Sequence, residues 1–215
     1  MNPVKRATPV TTLFVDIGGV LLTDGWDQRE RRSAAAAFKL AWTEMEERHR
    51  LVFDTYEVGK LTLDRYLDLV VFHRRRSFTR AEFRRFILAQ TKPYPRMIDL
   101  VTRLRACHGL KVVVVSNEAR ELNSYRVRKF KLTRFVDLFV SSCIVHLRKP
   151  DPEIFRLALD LAQVPARQVV YIDNTAMFVE IAGALGIRSI LHTSYGATRA
   201  ELESLGLSLS RRLGD

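Results

Sequence analysis

The sequence predicts an α/β protein in which a parallel β-sheet lies between two layers of helices and carries an inserted helical domain. Short apolar runs without polar alternation recur along the chain, which is typical of strands buried on both faces of a parallel sheet. Segments with helical periodicity follow most of these runs, so strand and helix alternate. The exception is the interval 24–95, which contains amphipathic segments and no strand-like run.

The candidate strands and helices predict a Rossmann-like three-layer sandwich. The strands are residues 11–16, 111–116, 138–141, 169–173 and 188–192. The helices of this core are residues 96–107, 118–130, 152–163, 177–185 and 199–208. Right-handed crossovers through such helices make consecutive strands parallel.

The interval between the first and second strands predicts an all-helical cap. Its candidate helices are residues 30–40, 41–53, 63–73 and 79–89. Thr79 and Glu82 form a capping-box pattern, and Thr62 is placed as an N-cap. We therefore expect a core domain of residues 1–23 and 96–215, and a cap of residues 24–95. The cap should cover the carboxyl edge of the sheet, where open α/β sheets bind ligands.

Composition excludes several classes of protein. Of the 215 residues, 47% are hydrophobic, which is enough for a real core, and no apolar run approaches the ~20 residues that span a bilayer. The net charge is 35 − 24 = +11, but the arginines are scattered and no RNA-binding motif accompanies them. We expect a cytoplasmic protein with a basic outer face and neither nucleic acid nor membrane as partner. Cys107 and Cys143 are expected to be buried free thiols.

Four polar residues end candidate strands or precede a core helix: Asp16, Ser116, Lys149 and Asp173. Taken singly, each has an ordinary explanation, such as a turn residue, a helix N-cap or a solvated lysine. The carboxyl ends of parallel strands meet at one edge of a sheet, so together they are expected to converge. Carboxylates suit Mg²⁺, a hydroxyl and an ammonium suit phosphate, and an aspartate can attack phosphorus. The sequence therefore predicts a phosphoryl-transfer site.

Four segments carry a resemblance to a known family. They are FVDIGGVLL (14–22), VVVVSN (112–117), RKPDPEIF (148–155) and VVYIDNTAMFVEIAGALGI (169–187). In these motifs the chain resembles the haloacid dehalogenase superfamily of phosphohydrolases, and the helical insertion is similar to a cap of type C1. The resemblance extends over essentially the whole chain.

The resemblance implies a role for each motif residue. Asp16 is the catalytic nucleophile, and Lys149 is the catalytic lysine that steadies the charges of nucleophile and phosphate. The residues implied to bind the substrate phosphate are Ser116, Asn117, Gly18 and Gly19. The ligands implied for the cofactor Mg²⁺ are Asp16, the carbonyl of Gly18, Asp173 and Asn174. The implied activity is Mg²⁺-dependent hydrolysis of small phosphate esters, sugar phosphates among them, through an aspartyl phosphate.

Gly18 departs from the family pattern, because family phosphatases usually carry there a second aspartate that protonates the leaving group. Loss of a general acid commonly lowers a rate by about 10²–10⁴-fold. A subgroup similar to glucose-1-phosphate phosphatases also has glycine at this position. An anomeric or acyl leaving group depends less on a proton donor, which favours such substrates. Restoring the acid by Gly18→Asp would fail if Gly18 needs backbone angles that aspartate resists.

Asn174 is the second departure, because the fourth motif usually ends in two acids. An amide oxygen binds Mg²⁺ more weakly than a carboxylate, so Asn174→Asp should tighten the metal. This favours an alternative function, a degenerate member of the family that binds a phosphorylated ligand without efficient turnover. Haloacid dehalogenation, which needs no Mg²⁺, ranks last because those enzymes resemble D-x-Y-G-T at the first motif.

The cap and the first turn after Ser116 offer further candidates for substrate contact. Trp26 is placed either to stack on a sugar or to pack under the cap, and residues 57–60 either form a specificity loop or a plain turn. Arg120 either reaches phosphate or faces solvent. Ser116 and Asn117 are alternatively an N-cap pair for the helix predicted at 118–130.

Overall fold

A five-stranded parallel sheet forms the centre of the protein. The computed structural model describes residues 8–209. The strands run in the order β3-β2-β1-β4-β5, and each pairs in parallel with its neighbours. Their bounds are β1 Thr12–Val15, β2 Lys111–Ser116, β3 Leu138–Ser141, β4 Val169–Asp173 and β5 Arg188–Leu191. All five predicted strands are confirmed, and β1 lies in the middle of the sheet with its carboxyl end at the site.

Helices cover both faces of this sheet, as an α/β three-layer sandwich requires. Leu13 and Val15 of β1 face one layer, which contains the helices at 95–108 and 195–204, whereas Phe14 faces the other, which contains the helices at 153–162 and 176–184. The core helices are α5 Pro95–His108, α6 Arg120–Lys129, α7 Ser142–Val145, α8 Glu153–Ala162, α9 Ala176–Ala184 and α10 Tyr195–Ser204. Alternate residues of one strand therefore enter different cores, and both cores are apolar. The predicted fold class is confirmed.

Several predicted helix limits are wrong. The last helix was expected at 199–208, but it begins at Tyr195, since the hydroxyl of Ser194 accepts a hydrogen bond from the N–H of Ala197. It ends at Ser204 because the chain then turns through Gly206, whose φ is +86°. Helix α6 begins at Arg120 and has Ala119 as its N-cap, so Ser116 and Asn117 do not cap it. The one-turn helix α7 was not predicted at all.

Four helices form the inserted part, and they surround their own apolar cluster. They are α1 Gln28–Ala37, α2 Trp42–Glu57, α3 Leu63–Val70 and α4 Arg80–Ala89. The cluster is rich in aromatic rings, with Trp26, Tyr56, Tyr66 and Phe83 buried in it. The predicted N-cap Thr62 accepts from Arg65 N, and the capping box of Thr79 is present. We infer from this cluster, to which Ala119 and Leu122 at the start of α6 also contribute, that residues 24–95 form a cap domain.

The two chain segments that enter and leave the cap run side by side. Thr23 N donates to Lys92 O at 2.9 Å, and Tyr94 N donates to Leu21 O at 2.9 Å. Leu22 and Pro93 form an antiparallel bridge between these hydrogen bonds. We call these paired segments, residues 21–23 and 92–94, the linker ribbon.

Two expectations of the composition can be compared with the structure. Among residues 8–209, no helix has the length and apolar character needed to cross a membrane. Cys107 and Cys143 are both free thiols; Cys143 is buried as expected, whereas Cys107 is only half-buried.

Candidate active site

A buried lysine lies between two carboxylates at the carboxyl edge of the sheet. The Nζ atom of Lys149 is 3.0 Å from Oδ1 of Asp16 and 2.6 Å from Oδ2 of Asp173. Asp16 follows β1, Asp173 ends the adjacent β4, and Lys149 precedes α8. Lys149 is 1% exposed and Asp173 is 0% exposed, so the three charges interact with little screening by water.

The second carboxylate is held on several sides. Tyr171 lies two residues before Asp173 on β4, so both side chains leave the strand on the same face. Its hydroxyl donates to Oδ2 of Asp173. The N–H of Thr175 donates to Oδ1 at 2.7 Å. The ring of Phe178 lies 5.0 Å from Nζ of Lys149. These contacts fix the lysine and Asp173 in one arrangement.

The end of β2 positions the lysine from the other side. Nδ2 of Asn117 donates to the carbonyl of Lys149, and the N–H of Lys149 donates to Oδ1 of Asn117, both at 2.9 Å. The side chain of Asn117 is therefore occupied by hydrogen bonds to the main chain of Lys149. Asn117 also lines the cavity, so a ligand there would meet its backbone and not its side chain. Ser116 is buried, and its Oγ accepts a hydrogen bond from the N–H of Ile17 at 3.4 Å.

The two glycines after Asp16 are each approached by a polar side chain. A β-carbon placed on Gly19 would lie 2.1 Å from Nδ2 of Asn174, and φ of Gly19 is +70°. The amide of Asn174 thus packs directly against Gly19. A β-carbon on Gly18 would lie 3.1 Å from Oδ1 of Asp24. Gly18 has no left-handed φ, so the expected backbone obstacle to Gly18→Asp is wrong, and the obstacle is the carboxylate of Asp24.

Burial and neighbouring charges set the protonation of the central groups. Burial raises the pKa of Asp16 to about 6, against the opposing charge of Lys149 and in the same direction as the charge of Asp173. Burial alone would lower the pKa of Lys149, but the charges of Asp16 and Asp173 outweigh it and raise this pKa. The lysine therefore stays charged at neutral pH and supplies a fixed positive charge.

A cavity of about 550 Å³ opens above these residues and extends under the cap. Asp16, Asn117 and Lys149 line its floor, and Arg31 and His49 line its cap wall. This volume is within the range of small-molecule sites.

The turn between α2 and α3 packs against the core domain beside the cavity. Arg148 lies 2.7 Å from Oε2 of Glu57 and 2.7 Å from Oδ1 of Asp54. The carbonyl of Val58 lies 2.7 Å from Nδ1 of His146. Gly59 has φ of +73°, and a β-carbon on it would lie 2.2 Å from the carbonyl oxygen of Cys143. The segment 57–60 therefore contacts the core through its main chain, which a plain turn does not require.

The other cap candidates have structural partners. Trp26 is 5% exposed and its indole N–H donates to the hydroxyl of Tyr66 at 2.9 Å, so it packs under the cap. Arg120 donates to the carbonyl of Cys143 at 2.7 Å. Trp26 also lines the cavity, whereas Arg120 is not among the residues that line it.

The buried side chain of Arg126 joins α6 to the linker ribbon. The guanidinium of Arg126 pairs with Glu118, and both side chains are 1% exposed. The same guanidinium donates to the carbonyls of Thr23 and Asp24, and to Oγ1 of Thr91. Burial raises the pKa of Glu118 to about 7, although the charge of Arg126 lowers it.

The family model for haloacid dehalogenase-like hydrolases matches residues 10–186, which hold all of the residues described above. The chain belongs to this family. A haloacid dehalogenase family enzyme of Bacteroides thetaiotaomicron has a similar fold, with a TM-score of 0.76 and 20% identity over 91% of this chain and 99% of that one. The same enzyme has been solved in complex with magnesium and inorganic phosphate, with a TM-score of 0.72, 21% identity and coverage of 85% and 93%.

Two curated relatives differ in the reaction for which they are named. A phosphatase of Mycobacterium tuberculosis is 30% identical over 106 residues, which are 47% of this chain and 49% of that protein. A (S)-2-haloacid dehalogenase of a Pseudomonas strain is 27% identical over 97 residues, which are 45% and 42%. The chain thus spans half or less of the length of the curated relatives that it matches. This chain is related to both.

The structure brings Asp16, Ser116, Lys149 and Asp173 to one sheet edge, as the strand ends predict. It also places four residues there that the sequence reasoning did not select: Asp24, Glu118, Arg126 and Tyr171. The period of two along β4 could have indicated Tyr171, because it shares a face with Asp173. The other three depend on how the loop after β1 folds back onto α6, and no short motif indicates that path.

The donor set suits Mg²⁺. The described residues contain no group of three or more His, Cys, Asp and Glu side chains that could hold a metal. The predicted set needs only two carboxylates, because the carbonyl of Gly18 and the amide of Asn174 would supply the remaining oxygens. Oδ1 of Asp16 is buried and lies 3.0 Å from Nζ of Lys149, but it has no hydrogen bond of good geometry among residues 8–209. A carboxylate oxygen can accept more than one contact, so Oδ1 can also bind a metal ion. Oxygen-only sets with few carboxylates are typical of magnesium sites.

Proposed function

We propose that this hydrolase is a Mg²⁺-dependent phosphatase of small phosphate monoesters that acts through an aspartyl phosphate on Asp16. The observation that supports this most directly is the placement of Lys149 between Asp16 and Asp173 on the floor of the cavity. A fixed ammonium beside a buried carboxylate lets that carboxylate approach an anionic phosphoryl group. The phosphatase relative and the phosphate complex of the structural neighbour agree with this substrate class.

The first step is attack of the Asp16 carboxylate on phosphorus, which forms the Asp16 O–P bond and breaks the bond to the leaving oxygen. Water then attacks phosphorus, frees inorganic phosphate and restores Asp16. Lys149 offsets negative charge in both steps, and Ser116 holds the N–H of Ile17 beside the nucleophile. The side chain of Asn117 positions the main chain of Lys149, and its backbone is next to the substrate.

Mg²⁺ would be held by Asp16, the carbonyl of Gly18, Asp173 and Asn174. When bound, it shields the negative charges of nucleophile and phosphate from each other. Gly19 gives the amide of Asn174 the room to reach this position. Gly18 and Gly19 also leave the phosphate free to approach the backbone, because neither carries a side chain.

The substrate is a small molecule, since the cavity under the cap is about 550 Å³. Sugar phosphates fit this volume. The glycine at position 18 favours activated leaving groups, such as sugar 1-phosphates or acyl phosphates, unless another residue supplies the proton. Resemblance to the glucose-1-phosphate phosphatase-like subgroup stays a prediction on this point.

Phosphate release from a panel of esters, with and without Mg²⁺, tests the proposal. The panel contains a sugar 1-phosphate, a sugar 6-phosphate and acetyl phosphate, and chloride release from 2-chloropropionate is measured in parallel. Asp16→Asn removes the nucleophile and should abolish turnover. Asp99→Asn is the matched control, because Asp99 is an exposed residue of α5 whose ion-pair partner within residues 8–209 is Arg103 on its own helix.

Each outcome selects one function. Mg²⁺-dependent phosphate release that Asp16→Asn abolishes and Asp99→Asn preserves supports the phosphatase. Chloride release without Mg²⁺, and no phosphate release, would replace it by a dehalogenase, which the Pseudomonas relative makes a specific candidate. No release of either product, with retained binding of phosphate or Mg²⁺, would indicate the degenerate ligand-binding member that Asn174 favours.

A further inference from the structure

The structure provides a carboxylate at the place where the chain lacks its general acid. Gly18 has no side chain, but Oδ1 of Asp24 lies 3.1 Å from the point that a β-carbon of residue 18 would occupy. If residue 18 were an aspartate, its carboxylate oxygens would lie two bonds from that β-carbon, which is roughly the same distance. Asp24 and Gly18 both line the cavity that contains Asp16 and Lys149.

The backbone of Asp24 is fixed although it lies in a loop. Arg126 donates to its carbonyl oxygen and to that of Thr23. Gly25 allows this approach, since a β-carbon there would lie 2.4 Å from Nη2 of Arg126. The linker ribbon holds Thr23 from the other side through its hydrogen bond with Lys92. A catalytic side chain needs this kind of support to stay in place.

Among the acidic residues of the upper cavity walls, Asp24 has a carboxylate that forms neither an ion pair nor a helix cap with any residue in the range 8–209. The other acidic side chains along these walls each have a structural partner. These pairs are Glu46 with Arg31, Asp54 and Glu57 with Arg148, Glu118 with Arg126, and Asp27 with the first N–H groups of α1. Asp24 forms no ion pair within 4 Å with any residue in the range 8–209, and its residue surface is exposed to the cavity and solvent.

We propose that Asp24 is the general acid and base of this phosphatase, in place of the aspartate that Gly18 lacks. This inference rests on the proposed function. In the first step the Asp24 carboxyl gives its proton to the leaving oxygen while the P–O bond to that oxygen breaks and the Asp16 O–P bond forms. In the second step the Asp24 carboxylate takes a proton from water while the water O–P bond forms and the Asp16 O–P bond breaks. Asp24 ends protonated, as it began.

The proposal predicts how the rate depends on the leaving group. A proton donor matters little for p-nitrophenyl phosphate, more for phenyl phosphate and most for a primary alkyl phosphate, because their leaving groups are increasingly basic. In Asp24→Asn, kcat/KM should fall about 10²–10⁴-fold for the alkyl ester and much less for p-nitrophenyl phosphate. The value of kcat/KM reports steps up to leaving-group departure, so slow hydrolysis of the aspartyl phosphate does not obscure it.

A relocated acid provides the second arm of the test. The double variant Gly18→Asp with Asp24→Ala moves the carboxylate to position 18, where the backbone accepts a side chain. It should recover activity toward the alkyl ester relative to Asp24→Asn. Gly18→Asp alone should be worse than the double variant, since two carboxylates would then be forced together. Thermal unfolding of every variant, with Asp99→Asn as control, checks that each is folded.

The results separate this inference from the function on which it depends. Selective loss on the alkyl ester, with recovery in the double variant, supports Asp24 as the acid. An equal loss on all three esters, or no loss, overturns it while Asp16→Asn still confirms the phosphatase. No phosphate release by the wild-type protein from any ester overturns both.

Discussion

Gly19→Ala tests the placement of Asn174 at the metal site. The added methyl would lie 2.1 Å from Nδ2 and 2.4 Å from Cγ of Asn174, well inside van der Waals contact. Because Asn174 is exposed, its side chain can rotate away instead of forcing the backbone to move. We therefore expect little steric loss of stability and a marked loss of Mg²⁺ affinity.

The stability term can be isolated with a matched glycine. Gly109 has φ of +64°, close to the +70° of Gly19, and a β-carbon there would meet nothing within 4 Å. Placing alanine in this left-handed conformation costs about 1–2 kcal/mol. For a chain of this size each kcal/mol lowers the melting temperature by about 2–4 °C. Gly19→Ala and Gly109→Ala should therefore lower it by a similar amount, about 2–8 °C.

Only Gly19→Ala should change the metal dependence. We expect the Mg²⁺ concentration for half-maximal phosphate release to rise about 10–100-fold, the range seen when groups that support a metal site are removed. Asn174→Ala should have the same effect, and adding Gly19→Ala to it should change nothing further. Unchanged half-saturation in Gly19→Ala would refute the placement of Asn174. A melting temperature far below that of Gly109→Ala would refute its freedom to rotate.

Three further predictions concern single positions. Asn174→Asp should lower the Mg²⁺ half-saturation and raise the rate; if titrations of activity show neither, Asn174 lies outside the metal shell. Glu118 has a pKa of about 7 against an ordinary 4.5, so the folded state holds a proton that the unfolded state releases, and stability falls as pH rises through this window. The free energy of unfolding, measured in urea, should therefore decrease between pH 4.5 and 7 by about 3 kcal/mol less in Glu118→Gln than in the wild-type protein. An unchanged pH dependence of this free energy would contradict the prediction. Gly59→Ala should lower the melting temperature more than Gly109→Ala and raise KM, because a β-carbon would lie 2.2 Å from the backbone oxygen of Cys143, which cannot rotate away; equal melting temperatures would argue against this contact.

The central sheet was predictable because of how its strands are buried. A run such as Lys111–Ser116 is apolar on both faces only where helices cover both, so its lack of alternation identifies a parallel strand. The site followed from the same fact, since Asp16, Ser116 and Asp173 end strands that share one edge. The limits of helices were less predictable, since Ser194 and Gly206 set α10 through a side-chain cap and a left-handed φ.

The sequence did not predict the contacts between segments that are distant along the chain. The approach of Asp24 to Gly18 depends on the curvature of residues 19–25, which Arg126 fixes from a helix about a hundred residues later. A buried arginine looks the same in the sequence as the many exposed ones. Gly18 could be recognised as a departure from the family, but only the folded loop shows which carboxylate lies beside it.

The linker ribbon determines how substrate can enter. The two chain connections between core and cap lie side by side, and the guanidinium of Arg126 binds both. We therefore expect the cap to rotate about this edge as about a single hinge. The contacts that keep the cap closed on the core then lie away from this hinge, above all the ion pairs of Arg148 with Asp54 and Glu57. Arg148 and Asp54 are accessible to solvent, and at 0.1 M salt the screening length is about 10 Å. We therefore expect product release to become faster as ionic strength rises, because salt weakens the ion pairs that keep the cap closed. The chemical steps should not respond to salt in this way.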